Sequence, residues 1–384
     1  MTEWKEYKFS DFVDINPLVR IPKNIPISFV EMKDLDPSMR YCESSQLKLL
    51  SGGSRFINGD TLFARITPCL ENGKICQVRY LQNNIGFGST EFHVFRAKNG
   101  ISDTNFVYYL SRWNEVREHA ELNLEGSSGR QRVSKEAFDN LYLLLPPLPE
   151  QIRIASILSS LDDKIDLLHR ENKTLEAMAE TLFRQWFIEE AKEDWEEGTI
   201  ADLIEFNPTR KLCKGEVVPF LEMSNLSTST YAPTYWHNRA FTSGSKFENG
   251  DALLARITPC LENGKTAYVD FLDNGEIGWG STEFIVMRSK LGLHPFFSYI
   301  VAKYHDFREY AESCMSGSSG RQRVDIDNLK NYSIQIPDKK NVDKFNKAIM
   351  QIIQKMQINN KQIQTLIQKR DSLLPKLMSG EVKI

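Results

Sequence analysis

The chain has 384 residues, of which 41% are hydrophobic, and its formal net charge is −3 at pH 7. This length fits about two domains of ordinary size, each with enough apolar residues for a hydrophobic core. No run of about 18 apolar residues is present and the amino terminus lacks an apolar core, which excludes a membrane-spanning helix and a signal peptide as expectations. Because the bulk composition is not basic, any nucleic-acid-binding surface must be local.

The whole sequence is a duplication in which residues of the first half recur 191 or, around the second motif, 192 positions later. The longest repeated stretch reads GDTLFARITPCLENGK at 59–74 and GDALLARITPCLENGK at 250–265. Two further motifs recur: GSSGRQRV at 126–133 and 317–324, and GFGSTEF at 86–92 against GWGSTEF at 278–284. The period far exceeds the roughly 20–50 residues of solenoid repeats, so each copy is predicted to be a domain.

The amino-terminal part of each copy alternates short apolar runs with turn residues, which favours β-strands. Residues 28–35 (SFVEMKDL) match residues 219–226 (PFLEMSNL), but the segments that follow, 36–50 and 227–241, differ. A shared frame with divergent loops is typical of two related binding domains whose targets are partly different.

The stretch around Arg65 combines a strand with a polar turn. Asn58-Gly59-Asp60 predicts a turn that leads into a strand ending at Thr67-Pro68. Within this apolar run, Arg65 either pairs with a nearby carboxylate or contacts a ligand. Glu71-Asn72-Gly73-Lys74 then offers a carboxylate, an amide and an ammonium. A solvated hairpin turn needs only the Asn-Gly, so the identity of LENGK in both copies favours a function.

The other two motifs are rich in glycine and hydrogen-bonding groups. In 86–92, glycines would let the backbone approach a ligand, and hydroxyls can bond phosphates or base edges. The third glycine of a dinucleotide fingerprint is missing. After a predicted helix over 105–121, the loop at 126–132 carries two guanidiniums and an amide, which can bind a phosphate or fork onto guanine. A flexible surface loop is the alternative, and the recurrence favours nucleic-acid contact.

Two long helices with coiled-coil spacing are predicted. Apolar residues alternate at intervals of four and three from Ile154 to Trp186, and again from Phe345 to Leu377. Each stripe contains one asparagine, Asn172 or Asn359. We expect an antiparallel helix pair with the two asparagines adjacent, because mutual pairing satisfies both amides. Packing of each helix on its own domain is the alternative, but about 40 residues give roughly 60 Å, longer than such a domain is wide.

These elements predict a mixed α and β fold: two pseudo-symmetric α/β domains joined by two long helices packed as an antiparallel coiled coil. The predicted boundaries are 1–147 for the first domain, 148–190 for the central helix, 191–337 for the second domain and 338–384 for the last helix. If the repeat is cyclic, the end of the second helix returns to Trp4 as the end of the first returns to Trp195.

No catalytic machinery is recognisable. The chain lacks a methyltransferase N/D-P-P-Y/F tetrapeptide and a glycine-rich cofactor loop, and its six histidines do not recur between the copies. Glu71 and Lys74 are separated by two residues, whereas the carboxylate–lysine cluster of metal-dependent nucleases needs one. The six cysteines contain no C-x-x-C pair, so we expect reduced thiols and no metal site.

Two domains, each followed by a long helix, with these three motifs, resemble the specificity (S, or HsdS) subunit of a Type I restriction–modification system over essentially the whole chain. The resemblance implies a cytoplasmic, non-catalytic protein whose two target recognition domains each read one half of a split site in double-stranded DNA. It also implies two methylation (M) subunits and restriction (R) subunits as partners. Any cofactors, S-adenosylmethionine, ATP and Mg, would belong to those partners and none to this chain. The alternatives are a stand-alone site-specific endonuclease and a structural coiled-coil adaptor.

The predicted DNA contacts are the polar residues of the three motifs. Cations would bind phosphates and guanine, while amides and carboxylates would read adenine and cytosine. In the first copy they are Arg65, Thr67, Glu71, Asn72, Lys74, Ser89, Thr90, Glu91, Ser127, Ser128, Arg130, Gln131 and Arg132. In the second copy they are Arg256, Thr258, Glu262, Asn263, Lys265, Ser281, Thr282, Glu283, Ser318, Ser319, Arg321, Gln322 and Arg323. Shared contact residues with divergent loops predict related but non-identical half-sites in inverted orientation.

Overall fold

The computed structural model describes residues 3–22, 24–127, 129–192, 194–233, 235–290, 292–318, 320–382 and 384. The chain divides into two compact units. Unit 1 consists of Met1–Leu167 with Ile363–Ile384, and unit 2 consists of Leu168–Gln362. Each unit therefore includes parts of both long helices. No helix among the described residues is long and apolar enough to cross a membrane.

Unit 1 is built from short strands with three small helices and the first part of a long one. The elements are β1 (Lys5–Lys8), α1 (Phe9–Phe12), β2 (Val13–Ile15), β3 (Ile27–Val30), β4 (Tyr41–Cys42), β5 (Gln46–Lys48), β6 (Ser54–Ile57), β7 (Thr61–Ala64), β8 (Ile75–Val78), β9 (Ile85–Gly88), β10 (Phe92–Ala97), α2 (Thr104–Arg112), α3 (Asn114–Leu122), β11 (Leu124–Glu125), β12 (Arg132–Val133), β13 (Tyr142–Leu145) and α4 (Leu148–Phe183). Two sheets dominate, with strand orders β2-β10-β7-β8-β4 and β5-β3-β9-β6.

Unit 2 repeats this plan. Its elements are β14 (Glu196–Thr199), α5 (Ile200–Leu203), β15 (Ile204–Phe206), β16 (Val217–Leu221), β17 (His237–Ala240), β18 (Ser245–Phe247), β19 (Asp251–Ala255), β20 (Thr266–Tyr268), β21 (Gly278–Gly280), β22 (Phe284–Ser289), α6 (Phe296–Lys303), α7 (His305–Ser313), β23 (Met315–Ser316), β24 (Arg323–Val324), α8 (Ile326–Leu329), β25 (Ser333–Ile336) and α9 (Lys339–Met378). Its two main sheets have the orders β15-β22-β19-β20 and β17-β16-β21-β18. The predicted mixed class with two copies of one α/β architecture is confirmed.

The turn at Asp60 is held by a buried ion pair. Strand β7 is buried along its whole length, and the carboxylate that precedes it accepts two bonds from Arg96, at 2.7 and 2.6 Å. In unit 2, Asp251 occupies this position and pairs with both Arg288 and Arg210. Burial raises the pKa of Asp60, and its bonds to Arg96 oppose that shift. The aspartate thus has a structural role in both units.

The parts of α4 and α9 in unit 2 pack antiparallel. The Asn359 side-chain amide donates to the Asn172 side-chain oxygen at 2.9 Å, and both residues are buried. Trp186 follows Asn172 by 14 residues and lies just beyond the end of α4. The centroid of its ring is 6.4 Å from that of Phe345. The later residue of the first helical segment, Trp186, thus contacts the earlier residue of α9, Phe345. The predicted asparagine pairing and the antiparallel orientation are therefore confirmed.

In unit 1, the helix segments are joined by charge as well as by apolar contact. The Arg370 guanidinium pairs with Asp162 at 2.8 Å, with both side chains about 3% exposed or less. The Tyr109 hydroxyl donates to the other oxygen of Asp162 at 2.6 Å. Beyond the end of α9, a Cβ placed on Gly380 would lie 3.3 Å from the Trp4 ring. The expected return of the second helix to Trp4 is confirmed.

The asparagine pair gives a stability prediction. Replacing Asn172 by leucine removes one of the two acceptors of the Asn359 amide and leaves Glu171 at 3.1 Å, and we expect the free energy of unfolding to fall by about 1 kcal/mol. Changing both residues to leucine should recover most of this loss, because no buried amide is then left. Urea unfolding of the single and double variants measures the coupling.

The matched control is Gln354→Leu, which changes an exposed amide on α9, the helix that carries Asn359. It should alter stability by less than about 0.5 kcal/mol. A double leucine variant as unstable as the sum of the single variants would contradict this prediction.

Candidate nucleic-acid interface

The three repeated motifs converge at one residue in each unit. The backbone N–H of Arg65 donates to the Glu91 carbonyl at 3.0 Å, and its own carbonyl accepts from the Val133 N–H at 2.9 Å. In unit 2, the same two bonds link Arg256 to the equivalent residues, both at 2.9 Å. Segments that are distant in sequence are therefore brought together by one short stretch of extended backbone.

A second contact ties the Gly/Ser-rich hairpin to the strand that carries Arg65. Thr67 N–H donates to the Gln131 carbonyl at 2.9 Å, and Gln131 N–H donates back to the Thr67 hydroxyl at 3.0 Å. Thr258 N–H makes the corresponding bond to the Gln322 carbonyl at 3.1 Å. The predicted contacts Thr67 and Thr258 thus position the hairpin.

The hairpin itself exposes an arginine. Strands β11 and β12 pair across the loop at 126–131, in which Gly126 and Gly129 have φ values of +114° and +81°, the left-handed region that favours glycine. Arg130 N–H donates to the Ser127 carbonyl at 3.1 Å, and the Arg130 side chain is exposed. Ser128 and its counterpart Ser319 lie outside the described residues.

Two of the predicted contacts pair with each other. The Arg132 guanidinium bonds both carboxylate oxygens of Glu91, with distances of 2.6 to 3.0 Å. These bonds raise the pKa of Arg132. The Ser89 hydroxyl accepts from the Glu91 N–H at 3.1 Å and so helps to orient the carboxylate. Unit 2 repeats the arrangement through Ser281, Glu283 and Arg323.

The LENGK turn contributes exposed polar groups, but its lysine is used internally. The Lys74 ammonium donates to the Met32 carbonyl at 2.8 Å, and the Lys265 ammonium donates to the Met223 carbonyl at the same distance. Each lysine thereby holds the short 3₁₀ turn that follows β3 or β16. Glu71 and Asn72 are exposed at the tip of the turn.

The sequence reasoning missed an arginine that supports this turn. Arg117 on α3 donates to the Glu71 carbonyl at 3.3 Å, and Arg308 on α7 donates to the Leu261 carbonyl at 2.9 Å. The two arginines are 191 residues apart. Their recurrence was therefore the signal that could have identified them.

The glycines of the GSTEF motif pack against the core, contrary to the expectation that they approach a ligand. A Cβ on Gly86 would lie 2.6 Å from the Phe56 ring, and one on Gly88 would overlap the Val30 carbonyl. In unit 2, a Cβ on Gly278 would overlap Phe247 in the same way. These glycines are required because aromatic rings lie directly over the strand.

The second copy distributes its predicted contacts as the first does. Exposed positions in both units include the turn tips, the threonine of GSTEF and the hairpin. In the first copy these are Glu71, Asn72, Thr90, Ser127 and Arg130, and in the second Glu262, Asn263, Thr282, Ser318 and Arg321. Gln131 and Gln322 are half-buried.

Among the predicted contact residues of the three motifs, only a few cationic side chains are left without a described carboxylate partner. Within the described parts of the chain, the guanidiniums of Arg65, Arg130, Arg256 and Arg321 form no salt bridge with a carboxylate. The Nε atoms of Arg65 and Arg256 are buried without a hydrogen-bond partner. An unpaired, partly desolvated cation is electrostatically suited to an anionic ligand.

His93 lies beside this cluster in unit 1 and has a structural role. One ring nitrogen is 3.0 Å from the Val133 carbonyl and the other is 3.2 Å from the Asn16 amide nitrogen. Burial lowers the pKa of His93 to about 4, so the ring is neutral at pH 7. It can then donate to the carbonyl and accept from the amide. Ile285 occupies the matching position in unit 2.

Across the described ranges, no group of three or more His, Cys, Asp or Glu residues is placed to hold a metal ion. All six cysteines are free thiols.

Comparison with known proteins identifies the family. The model of the Type I restriction modification DNA specificity domain matches residues 1–177 and 192–369. The chain therefore belongs to the family of Type I restriction–modification DNA specificity proteins, and it contains two copies of the family's domain.

Individual relatives are similar over parts of their length. The chain is 29% identical over 205 residues to the Type I restriction enzyme EcoAI specificity subunit of Escherichia coli, covering 50% of this chain and 35% of that protein. It is 31% identical over 195 residues to the HindI specificity subunit of Haemophilus influenzae, covering 49% of this chain and 42% of that protein. The chain thus spans less than half the length of these curated relatives. The crystal structure of a Type-I restriction-modification system S subunit from M. genitalium has 18% identity, covers 97% of this chain and 96% of that one, and has a TM-score of 0.46.

The neutral His93 gives a prediction on pH. Its folded-state pKa lies below the ordinary value of 6.5, so its contribution to stability is present above pH 6.5 and is lost as the pH falls towards 4. The expected loss is on the order of 3 kcal/mol. Urea unfolding of the protein between pH 7 and pH 4 measures it.

His93→Ile, which introduces the residue of unit 2, is the matched variant. Its stability should fall less steeply over this range, since only the histidine difference is removed. Parallel pH profiles for the two proteins would contradict a neutral, buried His93.

Proposed function

We propose that this chain is the sequence-specific DNA-recognition subunit of a Type I restriction–modification complex. In this role, unit 1 and unit 2 each read one half of a bipartite site in double-stranded DNA. The observation that carries the proposal is the convergence of three repeated motifs around arginines that form no salt bridge with a described carboxylate, which occurs at equivalent positions in both units. Family membership supports the same function.

The contacts within each cluster indicate which of its residues would bind DNA and which support the fold. Arg65 and Arg130, with their counterparts, have guanidiniums available for phosphate oxygens or for the O6 and N7 acceptors of guanine. Asn72 and Thr90 are exposed and can donate to base edges or phosphates. The Glu91–Arg132 pair holds the motifs in place and leaves the neighbouring groups free to contact DNA.

Catalysis in this proposal belongs to partner subunits. Two methylation subunits would transfer the methyl group of S-adenosylmethionine to adenine N6, and restriction subunits would use ATP and Mg. This chain would bind no cofactor and would act as a non-catalytic subunit in the cytoplasm. The stand-alone endonuclease is not favoured, since the relatives that match are specificity subunits.

Salt dependence of DNA binding tests the role of the hairpin arginines. In the complex with methylation subunits, Arg130→Gln should weaken binding to all sequences and reduce the slope of log K against log salt by about 0.9, the value for one lost phosphate contact. Arg321→Gln should act alike, because its environment is equivalent.

Lys74→Met is the control, since this ammonium is already bonded to the Met32 carbonyl. Its salt slope should equal that of the unchanged protein. An unchanged slope for both arginine variants would overturn the assignment of these arginines to phosphate.

The DNA modification pattern tests the function as a whole. Sequencing of methylated adenines in cells that carry this subunit with its methylation partners should show one split motif with two related half-sites in inverted orientation. The isolated chain should not cleave DNA in the presence of Mg²⁺. A continuous motif, halves with no base in common after inversion, or Mg²⁺-dependent cleavage by the isolated chain would contradict the proposal.

A further inference from the structure

One face of the second sheet in unit 1 carries a row of four directly opposed residues, of which Phe87 is fully buried. Gln46 on β5 pairs with Phe29 on β3, Phe29 pairs with Phe87 on β9, and Phe87 pairs with Arg55 on β6. Residues directly opposite each other across a sheet project from the same face. The row therefore places two aromatic rings, 4.9 Å apart between centroids, between a polar residue and a cation.

Unit 2 has the same row with different residues. His237, Phe220, Trp279 and Lys246 are directly opposed across β17, β16, β21 and β18. The Phe220 and Trp279 ring centroids are 4.3 Å apart, and the His237 ring is 5.4 Å from that of Phe220. The aromatic centre of the row is thus kept, while the residue on the edge strand changes from glutamine to histidine.

A second cation from each edge strand lies over the aromatic centre. The Lys48 ammonium is 4.0 Å from the centroid of Phe29, and the Arg239 guanidinium carbon is 4.8 Å from that of Phe220. Both are cation–π distances. Lys48 and Arg239 are equivalent, because each is directly opposed to the residue two before the phenylalanine on the neighbouring strand.

The two edge strands differ in how their side chains are held. Glu31 accepts from the Gln46 amide at 3.1 Å and from the Lys48 ammonium at 3.2 Å, which fixes both side chains. In the described part of unit 2, Arg239 forms no salt bridge with a carboxylate, and it is exposed. Unit 1 therefore has the amide of Gln46 beside a lysine that is paired with a carboxylate. Unit 2 has the imidazole of His237 beside a guanidinium without a salt bridge to a described carboxylate.

The rest of the divergent segment in unit 1 serves the structure. Arg40 and Cys42 are buried, and the Tyr41 hydroxyl donates to Asp163 on α4 at 3.0 Å. Exposed or half-exposed polar residues on a fixed strand remain at 46–48. In addition, β9 runs directly into Ser89 and Glu91, so the row adjoins the cluster where the three motifs meet.

We propose that edge strands β5 and β17 determine which bases each unit prefers, through Gln46 and Lys48 in unit 1 and His237 and Arg239 in unit 2. This inference rests on the proposed function, since it assigns the specificity of the same DNA-binding units. The exposed arginines of the two rows, Arg55 in unit 1 and Arg239 in unit 2, fit a polyanion, and an edge strand or ribbon fits the major groove. A glutamine amide pairs with adenine and a free guanidinium pairs with guanine, so the two units would prefer different bases at matching positions.

An exchange of the two pairs of residues tests the proposal. In the complex with methylation subunits, unit 1 with Gln46→His and Lys48→Arg is allowed to select from a library in which both half-sites are randomised. We expect the preference in one half-site to shift towards that of the other half, with about 10- to 100-fold discrimination at each changed base. The reciprocal variant, His237→Gln with Arg239→Lys, should shift the other half-site.

Glu31→Gln is a milder second variant, because it frees Lys48 and Gln46 without changing either. It should broaden the preference in the unit 1 half-site alone. Thermal unfolding of each variant establishes that the exchanged side chains leave the fold intact.

The outcomes separate this inference from the function on which it rests. Variants that select the unchanged motif with unchanged discrimination would overturn the inference while leaving the DNA-recognition function in place. Changes in both half-sites from one exchange, or loss of all DNA binding by a folded variant, would also overturn it. Failure of the unchanged complex to select any sequence would overturn the proposed function instead.

Discussion

Each unit depends on a short extended segment whose two backbone groups are bonded to two other parts of the chain. The Arg65 N–H donates to the Glu91 carbonyl, and the Arg65 carbonyl accepts from the Val133 N–H. A segment used in this way on both sides cannot shift without breaking buried backbone bonds, which cost free energy when left unpaired. Three loops that would otherwise move independently are therefore held in one arrangement.

This arrangement determines which charges are available. The sequence predicts Lys74 and Arg132 as DNA contacts. In the structure, Lys74 donates to the Met32 carbonyl and Arg132 pairs with the Glu91 carboxylate. Arg65 and Arg130 remain without a carboxylate among the described residues. With a net charge of −3, the chain has no general attraction for a polyanion, so the proposed DNA binding would depend on such local cations. Salt bridges within the cluster thus limit the interface as much as the arginines create it.

The sequence was sufficient for the repeat, the class of fold and the helix pair, because these depend on periodicity. The spacing of Asn172 and Asn359 in two apolar stripes has one register in which the two amides lie opposite each other, and that register is observed. The partner of Arg370 was not predictable in this way, since Asp162 lies beside the predicted seam position and pairs through the length of two side chains.

The candidate site was predictable only as a set of segments. Recurrence showed that three motifs matter, but it could not show whether a polar residue faces a ligand or another part of the chain. Gly86 and Gly88 illustrate this, because they recur in order to admit aromatic rings of the core. The cations Lys48 and Arg239 were missed for the opposite reason: they lie in segments that differ between the copies, so no recurring motif marks them. Strand register shows that both face the aromatic pair.

Duplication separates the two requirements that a pair of recognition units must meet. Residues that build the cluster at Arg65 have to stay the same in both units, because each backbone bond depends on the others. Residues on an edge strand have backbone bonds on one side alone, and their exposed side chains can change without disturbing the core. The aromatic pair on the two neighbouring strands, Phe29 with Phe87 or Phe220 with Trp279, is present in both units. If the proposed function is correct, divergence at β5 and β17 would let one shared frame recognise two different sequences without a change in its core.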